Sequence, residues 1–203
     1  CFGCQAKGDA ITFVREINQL DFVGAVEHLA ARAGIQLTYT TSGESEGRKK
    51  RAKLVGAMEQ AVEWYHRRLL ESSDAGEARG YLRSRGFTGD MVRQYKLGWA
   101  PDAWDALCAS LKLPVEIAKD TGLGFVNSRN KVQDSLRARV LFPIFDVRGE
   151  PVAFGGRVLP GHDGSKYKNS ASSAIYDKSE VLYGLNWAKA DIVEHDEVVV
   201  CEG

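Results

Sequence analysis

The sequence has no apolar run that approaches 18 residues, and this absence excludes a membrane-spanning helix. The first residues of the sequence do not have the pattern of a signal peptide, so we expect none. Cysteines are also few, and the four that occur, at positions 1, 4, 108 and 201, do not form a disulfide framework. We therefore expect a cytoplasmic protein with reduced thiols, in which Cys108 and Cys201 are buried.

Net charge is also absent, because 27 lysines and arginines balance 27 aspartates and glutamates. The balance hides a gradient, since residues 129–178 carry 9 basic and 5 acidic side chains, whereas residues 179–203 carry 1 and 6. A basic stretch that leads into an acidic one suits a polyanion track beside a divalent-metal site. Ordinary solvated surface is the alternative interpretation.

The chain opens with a Cys-x-x-Cys motif, Cys1-Phe-Gly-Cys4. This turn can aim two thiolates at one metal ion, as in a zinc knuckle. A structural zinc site needs four ligands, so we expect the chain to start inside a zinc module whose other two ligands precede it. A redox pair is the competing interpretation, although no βαβ pattern surrounds the motif.

Two helices are predicted next. The first follows Asp9 as its N-cap, and the second spans residues 21–34 and ends at a glycine. A short strand is predicted over residues 35–40. The rings of Phe13 and Phe22 are expected in the core.

Further along, composition predicts a flexible linker over residues 41–47. Periodicity then predicts mostly helices over 48–121 and mostly strands over 122–175, with Gly149 in a hairpin turn. Helices followed by antiparallel strands make an α+β domain. A final strand, Val198–Cys201, is expected before the end of the chain.

Seven basic residues fall on the predicted strands and the loop that follows them. Arg137 and Arg139 alternate with apolar neighbours, which predicts that both leave one face of a strand. Such a ridge would neutralise the phosphates of a nucleic-acid strand or the triphosphate of a nucleotide, whereas each motif alone is usually a bend or plain surface. The seven residues are Arg137, Arg139, Arg148, Arg157, Lys166, Lys168 and Lys178.

The apolar strand at the end of the chain delivers an acid, Glu202, followed by a glycine. Open α/β sheets place their chemistry at the carboxyl ends of strands, so Glu202 is a candidate catalytic carboxylate. The alternative is an acid that simply ends a strand.

Several of these motifs, in this order, resemble the DnaG-type bacterial primase family. The matching stretches are Cys1-Phe-Gly-Cys4 with the Gly8-Asp9 helix, Leu97-Gly-Trp-Ala-Pro101 with Trp104-Asp105, Arg137-Ala-Arg-Val-Leu-Phe-Pro-Ile-Phe-Asp146, Phe154-Gly-Gly-Arg157, Lys166-Tyr-Lys-Asn-Ser170, Leu182-Tyr-Gly-Leu185 and Val198-Val-Val-Cys-Glu-Gly203. The sequence departs from the family pattern at Ser135, where an arginine is usual, and at Lys168, where a leucine is usual.

The resemblance implies a role for each candidate residue. Arg137, Arg139 and Arg157 would track the template strand. Lys166 and Lys178 would contact the incoming nucleotide or the nascent primer, with Lys168 and Asn169 close by, and Lys166 would also act in catalysis. Glu202 would be the first acid of a TOPRIM Mg²⁺ site. Cys1 and Cys4 would be two of four zinc ligands.

The resemblance also implies an organisation and a set of partners. Residues 1–40 would be a partial zinc-binding domain, 41–52 a linker, 53–190 the N-terminal subdomain of the RNA polymerase domain, and 191–203 the start of a TOPRIM subdomain. The activity would be template-directed synthesis of RNA primers on single-stranded DNA from ribonucleoside triphosphates. A replicative helicase would be a partner, a single-stranded DNA-binding protein a further one, and the protein would be a monomer.

One acid cannot hold the two catalytic metals, so this 203-residue chain is expected to be inactive by itself. Two alternative functions stay open at this point. One is a non-catalytic module that binds single-stranded DNA through the same basic residues and a zinc knuckle. The other is a different TOPRIM enzyme, a topoisomerase or a nuclease.

Overall fold

The structure is a computed structural model that describes residues 7–18, 20, 22–37 and 42–201. Cys1, Cys4 and Glu202, the predicted metal ligands, lie outside the described residues. The chain divides into two compact units, residues 1–48 and 49–203.

The first unit contains two helices, α1 (Ala10–Asn18) and α2 (Phe22–Ala33). The side chain of Asp9 caps α1 as predicted, because its Oδ1 accepts a hydrogen bond from the backbone N–H of Thr12 at 2.8 Å. Gly34 follows α2 with a φ of +67°, the left-handed conformation of a helix C-cap. Both helix ends therefore follow from their capping residues.

Two expectations for this unit are wrong. Residues 35–37 form no strand, and the rest of that predicted strand lies outside the described residues. Phe13 and Phe22 are 65% and 58% exposed, because the side chains that the helix pair buries include Val14 and Ala25 instead.

The second unit begins within a long helix, α3 (Ser42–Glu71). The expectation of a flexible linker over 41–47 is wrong for residues 42–47, which form the start of this helix. A turn of 3₁₀ helix (Ser73–Ala75) and shorter helices follow: α4 (Gly76–Ser84), α5 (Gly89–Gln94), α6 (Ala106–Ser110) and α7 (Val115–Thr121). The helical character of 48–121 is thus confirmed, apart from one short strand, β1 (Gly98–Ala100).

The remaining strands are antiparallel, which confirms the α+β class. They are β2 (Gly124–Val126), β3 (Val132–Asp134), β4 (Arg139–Phe145), β5 (Pro151–Val158) and β6 (Tyr167–Asn169). Four of them form one sheet in the order β1-β4-β5-β6, and β2 pairs with β3. Gly149 has a φ of +82° in the β4–β5 turn, as the hairpin requires.

The four-stranded sheet is covered on both faces. Leu141 and Phe154 point toward α3 and pack with its Met58 and Tyr65, and we call this side the α3 face. Val140 lies on the opposite side in a cluster with Leu82 of α4, and we call this side the α4 face. Because side chains alternate along a strand, each residue of β6 belongs to one face or the other.

The last helix, α8 (Leu185–His195), packs through Trp187. Its indole meets the rings of Tyr95 and Phe145 edge to face, with centroids 5.0 and 5.2 Å apart. The predicted strand Val198–Cys201 is not formed, because no strand of the described chain pairs with it, and its three valines are 59–78% exposed. Cys201 is exposed rather than buried.

Two of the basic residues that lie close together in the first part of α3 form ion pairs within the second unit. Arg51 reaches the β4–β5 turn, where its guanidinium contacts Asp146 at 2.9 Å and Glu150 at 2.7 Å. Lys50 contacts Asp120 at 2.7 Å. These two cations are therefore paired with acids of the protein itself. Among the described helices, none combines the length and apolar character that crossing a membrane requires.

Candidate nucleic-acid interface

The sheet sorts the predicted basic residues onto two faces. Gly156 of β5 lies opposite Lys168 of β6, and Arg157 lies opposite Tyr167. Opposed residues share a face, so Lys168 lies on the α3 face and Arg157 on the α4 face. The predicted single ridge is therefore two basic surfaces that meet at β6, the last strand of the sheet.

On the α3 face, three cations line one cavity of about 530 Å³. They are Arg137, Arg139 and Lys168, and the exposed rings of Trp104 and Phe125 line the same cavity. Cations beside exposed aromatic rings are the combination that binds single-stranded nucleic acid.

Arg137 and Trp104 form a stacked pair in this cavity. The guanidinium carbon of Arg137 lies 3.5 Å from the centroid of the Trp104 ring, and its Nε lies 2.9 Å from Oδ1 of Asp102. The indole is still 62% exposed. The pair therefore presents an open, partly cationic surface.

Backbone hydrogen bonds fix the segment that carries Trp104. The N–H of Asp134 donates to the carbonyl of Trp104 at 2.7 Å, and the N–H of Ala138 donates to the carbonyl of Pro101 at 3.1 Å. The carboxylate of Asp134 also accepts from the N–H groups of Leu107 and Cys108, at 2.8 and 3.0 Å. The start of helix α6 is thereby capped by Asp134, the last residue of β3.

Burial shifts two acidic groups around this cap. The pKa of Asp134 is raised above its ordinary value because the carboxylate is buried, despite the two N–H donors. The pKa of the Cys108 thiol rises to about 12 through burial and its contact with Asp134. Cys108 is thus a buried, protonated thiol, as expected.

Arg139 is buried, and Gly156 gives it room. A Cβ on Gly156 would lie 3.1 Å from Cδ of Arg139, so the missing side chain lets the arginine cross the sheet. The guanidinium donates to the carbonyl of Ser165 at 3.0 Å, and burial lowers the pKa of Arg139. Arg139 therefore lies under the β5–β6 loop.

Arg137 and Arg139 line the same cavity, but strand alternation is not the reason. Strand β4 begins at Arg139, and Ala138 between the two arginines has a φ of +50°. This kink lets Arg137 turn toward Trp104. The reasoning that placed both arginines on one strand face is therefore wrong, although the convergence is observed.

Lys168 completes the cationic wall. Its Nζ donates to the carbonyl of Ser135 at 2.8 Å. Burial, followed by the charges of Arg139 and Arg137, lowers the pKa of Lys168. The two arginines therefore make the surroundings of the Lys168 ammonium positive, which favours an anionic ligand there, although three acids line the same cavity. These acids are Asp102, Asp134 and Asp163.

The α4 face holds a second cation between two tyrosines. The guanidinium carbon of Arg157 lies 4.9 Å from the ring centroid of Tyr167 and 5.4 Å from that of Tyr81 in α4. Its Nε is buried and has no hydrogen-bond partner among the described residues. A buried donor without a partner is costly, so the position of this guanidinium between the two rings is held at the expense of an unpaired N–H.

The other predicted site residues are dispersed. Lys166 is exposed, with Nζ 5.7 Å from the Tyr167 centroid, and Oδ1 of Asn169 lies over Gly155. Lys178 is exposed in the loop before α8. Arg148 lies in the β4–β5 turn, a strand length of roughly 20 Å from Arg139, so it does not belong to either surface.

Sequence reasoning did not identify the aromatic residues as site candidates. Trp104 stood out only as part of a motif, and Phe125 and Tyr81 carried no signal at all. The contact of Trp104 with Arg137 joins residues 33 positions apart, which no local signal in the sequence indicates. Among the described residues, no group of three or more histidines, cysteines or acids is placed to hold a metal ion.

Comparisons with known proteins follow the same division of the chain. Residues 64–189 match the family model of the DNA primase catalytic core, N-terminal domain. Residues 1–45 match the CHC2 zinc finger. The matched regions cover most of the chain.

Individual proteins agree with these families. The DNA primase of Streptomyces coelicolor is 41% identical over 209 residues, which span 100% of this chain and 32% of that protein. The crystal structure of the RNA polymerase domain of Mycobacterium tuberculosis primase DnaG gives a TM-score of 0.71 at 34% identity, over 75% of this chain and 50% of that one. The structure of a DnaG primase catalytic domain bound to ssDNA gives 0.66 at 34% identity, over 71% and 47%.

The chain spans about a third of the length of the curated relative from Streptomyces coelicolor. Its whole length is aligned, and its family matches fall in the same order as the motifs that suggested them. On this evidence the chain belongs to the DnaG-type bacterial primase family.

Proposed function

We propose that this chain is the template-binding part of an enzyme that synthesises short RNA primers on single-stranded DNA. The observation that carries the proposal is the Arg137–Trp104 stack beside Arg139 and Lys168 in one cavity. Aromatic stacking holds bases without regard to sequence, and the cations neutralise phosphates. Template binding by a primase needs both, because it copies many sequences.

Residues on and beside the α4 face would contact a second component of the same reaction, the nucleotide or the primer. The cationic groups of Arg157 and Lys166 both approach the ring of Tyr167, with 4.9 and 5.7 Å to its centroid. We assign Lys166 and Lys178 to the incoming ribonucleoside triphosphate or the nascent primer, with Asn169 as a further polar contact. The positive charge of the two lysines would offset the charge that phosphoryl transfer concentrates on the nucleotide.

Two metal ions, zinc and Mg²⁺, belong to the proposal, and their predicted ligands lie outside the described residues. Cys1 and Cys4 would supply half of a zinc site, in keeping with the zinc-finger family match. Glu202 would be the first acid of a Mg²⁺ site. Bound Mg²⁺ would stabilise the attacking and leaving oxygens of nucleotidyl transfer.

The partners follow from the same proposal. They are the single-stranded DNA template, the ribonucleoside triphosphates and a replicative helicase, with a single-stranded DNA-binding protein as a further one. We expect a cytoplasmic monomer. The structural neighbour bound to ssDNA supports the template as a partner.

The experiment that tests this function is a graft. The 203 residues replace the matching third of the Streptomyces coelicolor DNA primase, and the chimera is incubated with single-stranded DNA, ribonucleotides and Mg²⁺. We expect short RNA from the chimera, and loss of that RNA in Glu202→Gln and Lys166→Ala. The isolated chain is expected to make none.

A Lys112→Ala chimera is the matched control, since Lys112 is exposed at the end of α6 and contributes to neither surface. DNA binding without RNA synthesis by the chimera would favour the non-catalytic binding module. The family matches do not favour that alternative or another TOPRIM enzyme.

A further inference from the structure

Strand β6 has one edge that the sheet does not use. It is the last strand in the order β1-β4-β5-β6, and its three residues are exposed. In the described chain, no strand pairs with its outer edge. The direction of its backbone groups therefore decides what that edge can bind.

Hydrogen bonds at both ends of β6 fix those directions. The N–H of Val158 donates to the carbonyl of Lys166 at 3.1 Å, and the N–H of Ser170 donates to the carbonyl of Phe154 at 2.8 Å. In an antiparallel ladder, bonded pairs alternate with non-bonded pairs. Residues 166, 168 and 170 therefore face β5, and the N–H groups of Tyr167 and Asn169 point away from it.

We propose that the outward N–H groups of Tyr167 and Asn169 bind phosphates of the single-stranded nucleic acid, so that the strand runs along β6. This inference rests on the proposed function, and it adds main-chain donors to a site so far described by side chains. It also explains how a single nucleic-acid strand reaches both basic surfaces, because the two surfaces meet at β6.

The charge around this edge favours a phosphate over a protein strand. Lys166 and Lys168 alternate with the two outward residues, and Arg157 stacks on Tyr167. The loop that precedes β6, residues 159–166, contains one acid, Asp163, so lysines and arginine outnumber acids around this edge. Sheet edges whose N–H groups converge with such cations are anion-binding sites.

The spacing of the donors also suits an extended nucleic-acid strand. Two residues of β6 advance roughly 7 Å, whereas a stacked strand rises about 3.4 Å per phosphate. An extended single strand separates its phosphates further and can place successive ones opposite the two N–H groups. The outward carbonyls of the same residues would accept from water or from the amino groups of bases.

Amide hydrogen exchange of the 203-residue chain, followed by NMR with and without an oligothymidylate, tests the donors directly. We expect the amides of Tyr167 and Asn169 to exchange fast in the free protein and at least about tenfold more slowly with DNA. The amide of Lys168 faces β5 and is the internal control, since it should be protected in both states.

A pair of variants isolates the main-chain group at Asn169. Asn169→Ala removes the side chain and keeps the N–H, whereas Asn169→Pro removes both and leaves the bonds to β5 intact. We expect the proline variant to bind oligothymidylate about tenfold more weakly than the alanine variant, with an unchanged dependence on salt. Circular dichroism checks that both variants are folded.

The outcomes separate this inference from the function beneath it. Normal DNA affinity with no added protection at Tyr167 and Asn169, or equal affinity of the two variants, would overturn the edge contact and leave template binding in place. Absence of any DNA binding would overturn both. Protection that appears without DNA and depends on protein concentration would show that a second protein strand occupies the edge instead.

Discussion

The ammonium of Lys168 donates to the backbone carbonyl of Ser135, 2.8 Å away and 33 residues earlier in the chain. Both positions are among those where the resemblance predicts a departure from the family pattern, with serine for arginine and lysine for leucine. The two residues are neighbours in space, so a cation expected at position 135 would be replaced by one from β6.

A swap of these two residues tests that relationship. Lys168→Leu should weaken binding of single-stranded DNA and reduce the salt slope by about 0.7, the value for one phosphate contact. Adding Ser135→Arg to Lys168→Leu should restore both, because the arginine returns a cation to the same cavity. Fluorescence titrations at several salt concentrations measure this, and a double variant no better than Lys168→Leu would show that the positions are independent.

Trp104 should contribute by stacking rather than by charge. We expect Trp104→Ala to weaken binding of single-stranded DNA about tenfold with little change in salt slope, and Trp104→Phe to retain most of the affinity. Arg137→Ala should instead reduce the slope. Titrations at two salt concentrations separate the two effects, and an equal loss of slope in both variants would contradict the stacking role.

Arg157→Ala, on the α4 face, and Lys166→Ala, beside the ring of Tyr167, should each lower DNA affinity and the salt slope. Arg157→Lys should recover the slope but not all of the affinity, because lysine lacks the planar group that stacks between Tyr81 and Tyr167. Binding measurements on the four proteins, including the parent, check this. Unchanged affinity and slope in both alanine variants would remove this face from the interface.

Glycine 156 should be intolerant of a side chain. A Cβ there would lie 2.9 Å from the carbonyl oxygen of Lys168 and 3.1 Å from Cδ of Arg139, so Gly156→Ala should separate β6 from β5. We expect a loss of roughly 1–3 kcal/mol in the free energy of unfolding. Gly80→Ala is the control, because its site in α4 is open and alanine should stabilise that helix by about 0.5–1 kcal/mol. Urea denaturation of both variants decides the point.

Asp134 should stabilise the start of helix α6, although it lies on β3 and is distant from α6 in the sequence. Asp134→Ala leaves the N–H groups of Leu107 and Cys108 without acceptors, at a cost of roughly 2–4 kcal/mol. Asp105 is the residue that precedes α6, yet its side chain makes no capping hydrogen bond, so Asp105→Ala should cost much less. A larger loss in Asp105→Ala than in Asp134→Ala would contradict the assignment.

The same carboxylate makes a pH-dependent contribution. Burial raises the pKa of Asp134 above 3.8, so the folded protein holds this proton more tightly than the unfolded chain does. Its contribution to the free energy of unfolding therefore falls as pH rises from 3.8 through the raised pKa. The difference between the parent and Asp134→Ala should shrink across that window in urea titrations.

The order of helices and strands could be predicted because capping residues and periodicity are local signals. The helix after Asp9, the helical region 48–121 and the hairpin at Gly149 all follow from them. Strands β3 and β6 have three residues each, too few to show a period of two. The start of α3 was missed because glycine and serine at 42–47 suggest a linker.

The candidate site was predictable in composition but not in arrangement. Arg137, Arg139 and Lys168 converge as expected on one cavity, whereas Arg157 faces the other way. The division depends on the register of β5 and β6 and on the kink at Ala138, and both are set by contacts distant in sequence. The predicted domain boundaries at 40/41, 52/53 and 190/191 stay predictions.

The alternation of β6 constrains how this part of the chain can change. Tyr167 and Lys168 are consecutive residues, yet one belongs to each basic surface, so β6 forms the boundary between the two surfaces. Lengthening the loop at 159–165 would leave that assignment intact. Removing a single residue within 166–169 would exchange the two faces, and sequence drift here should therefore proceed by substitution and not by insertion or deletion.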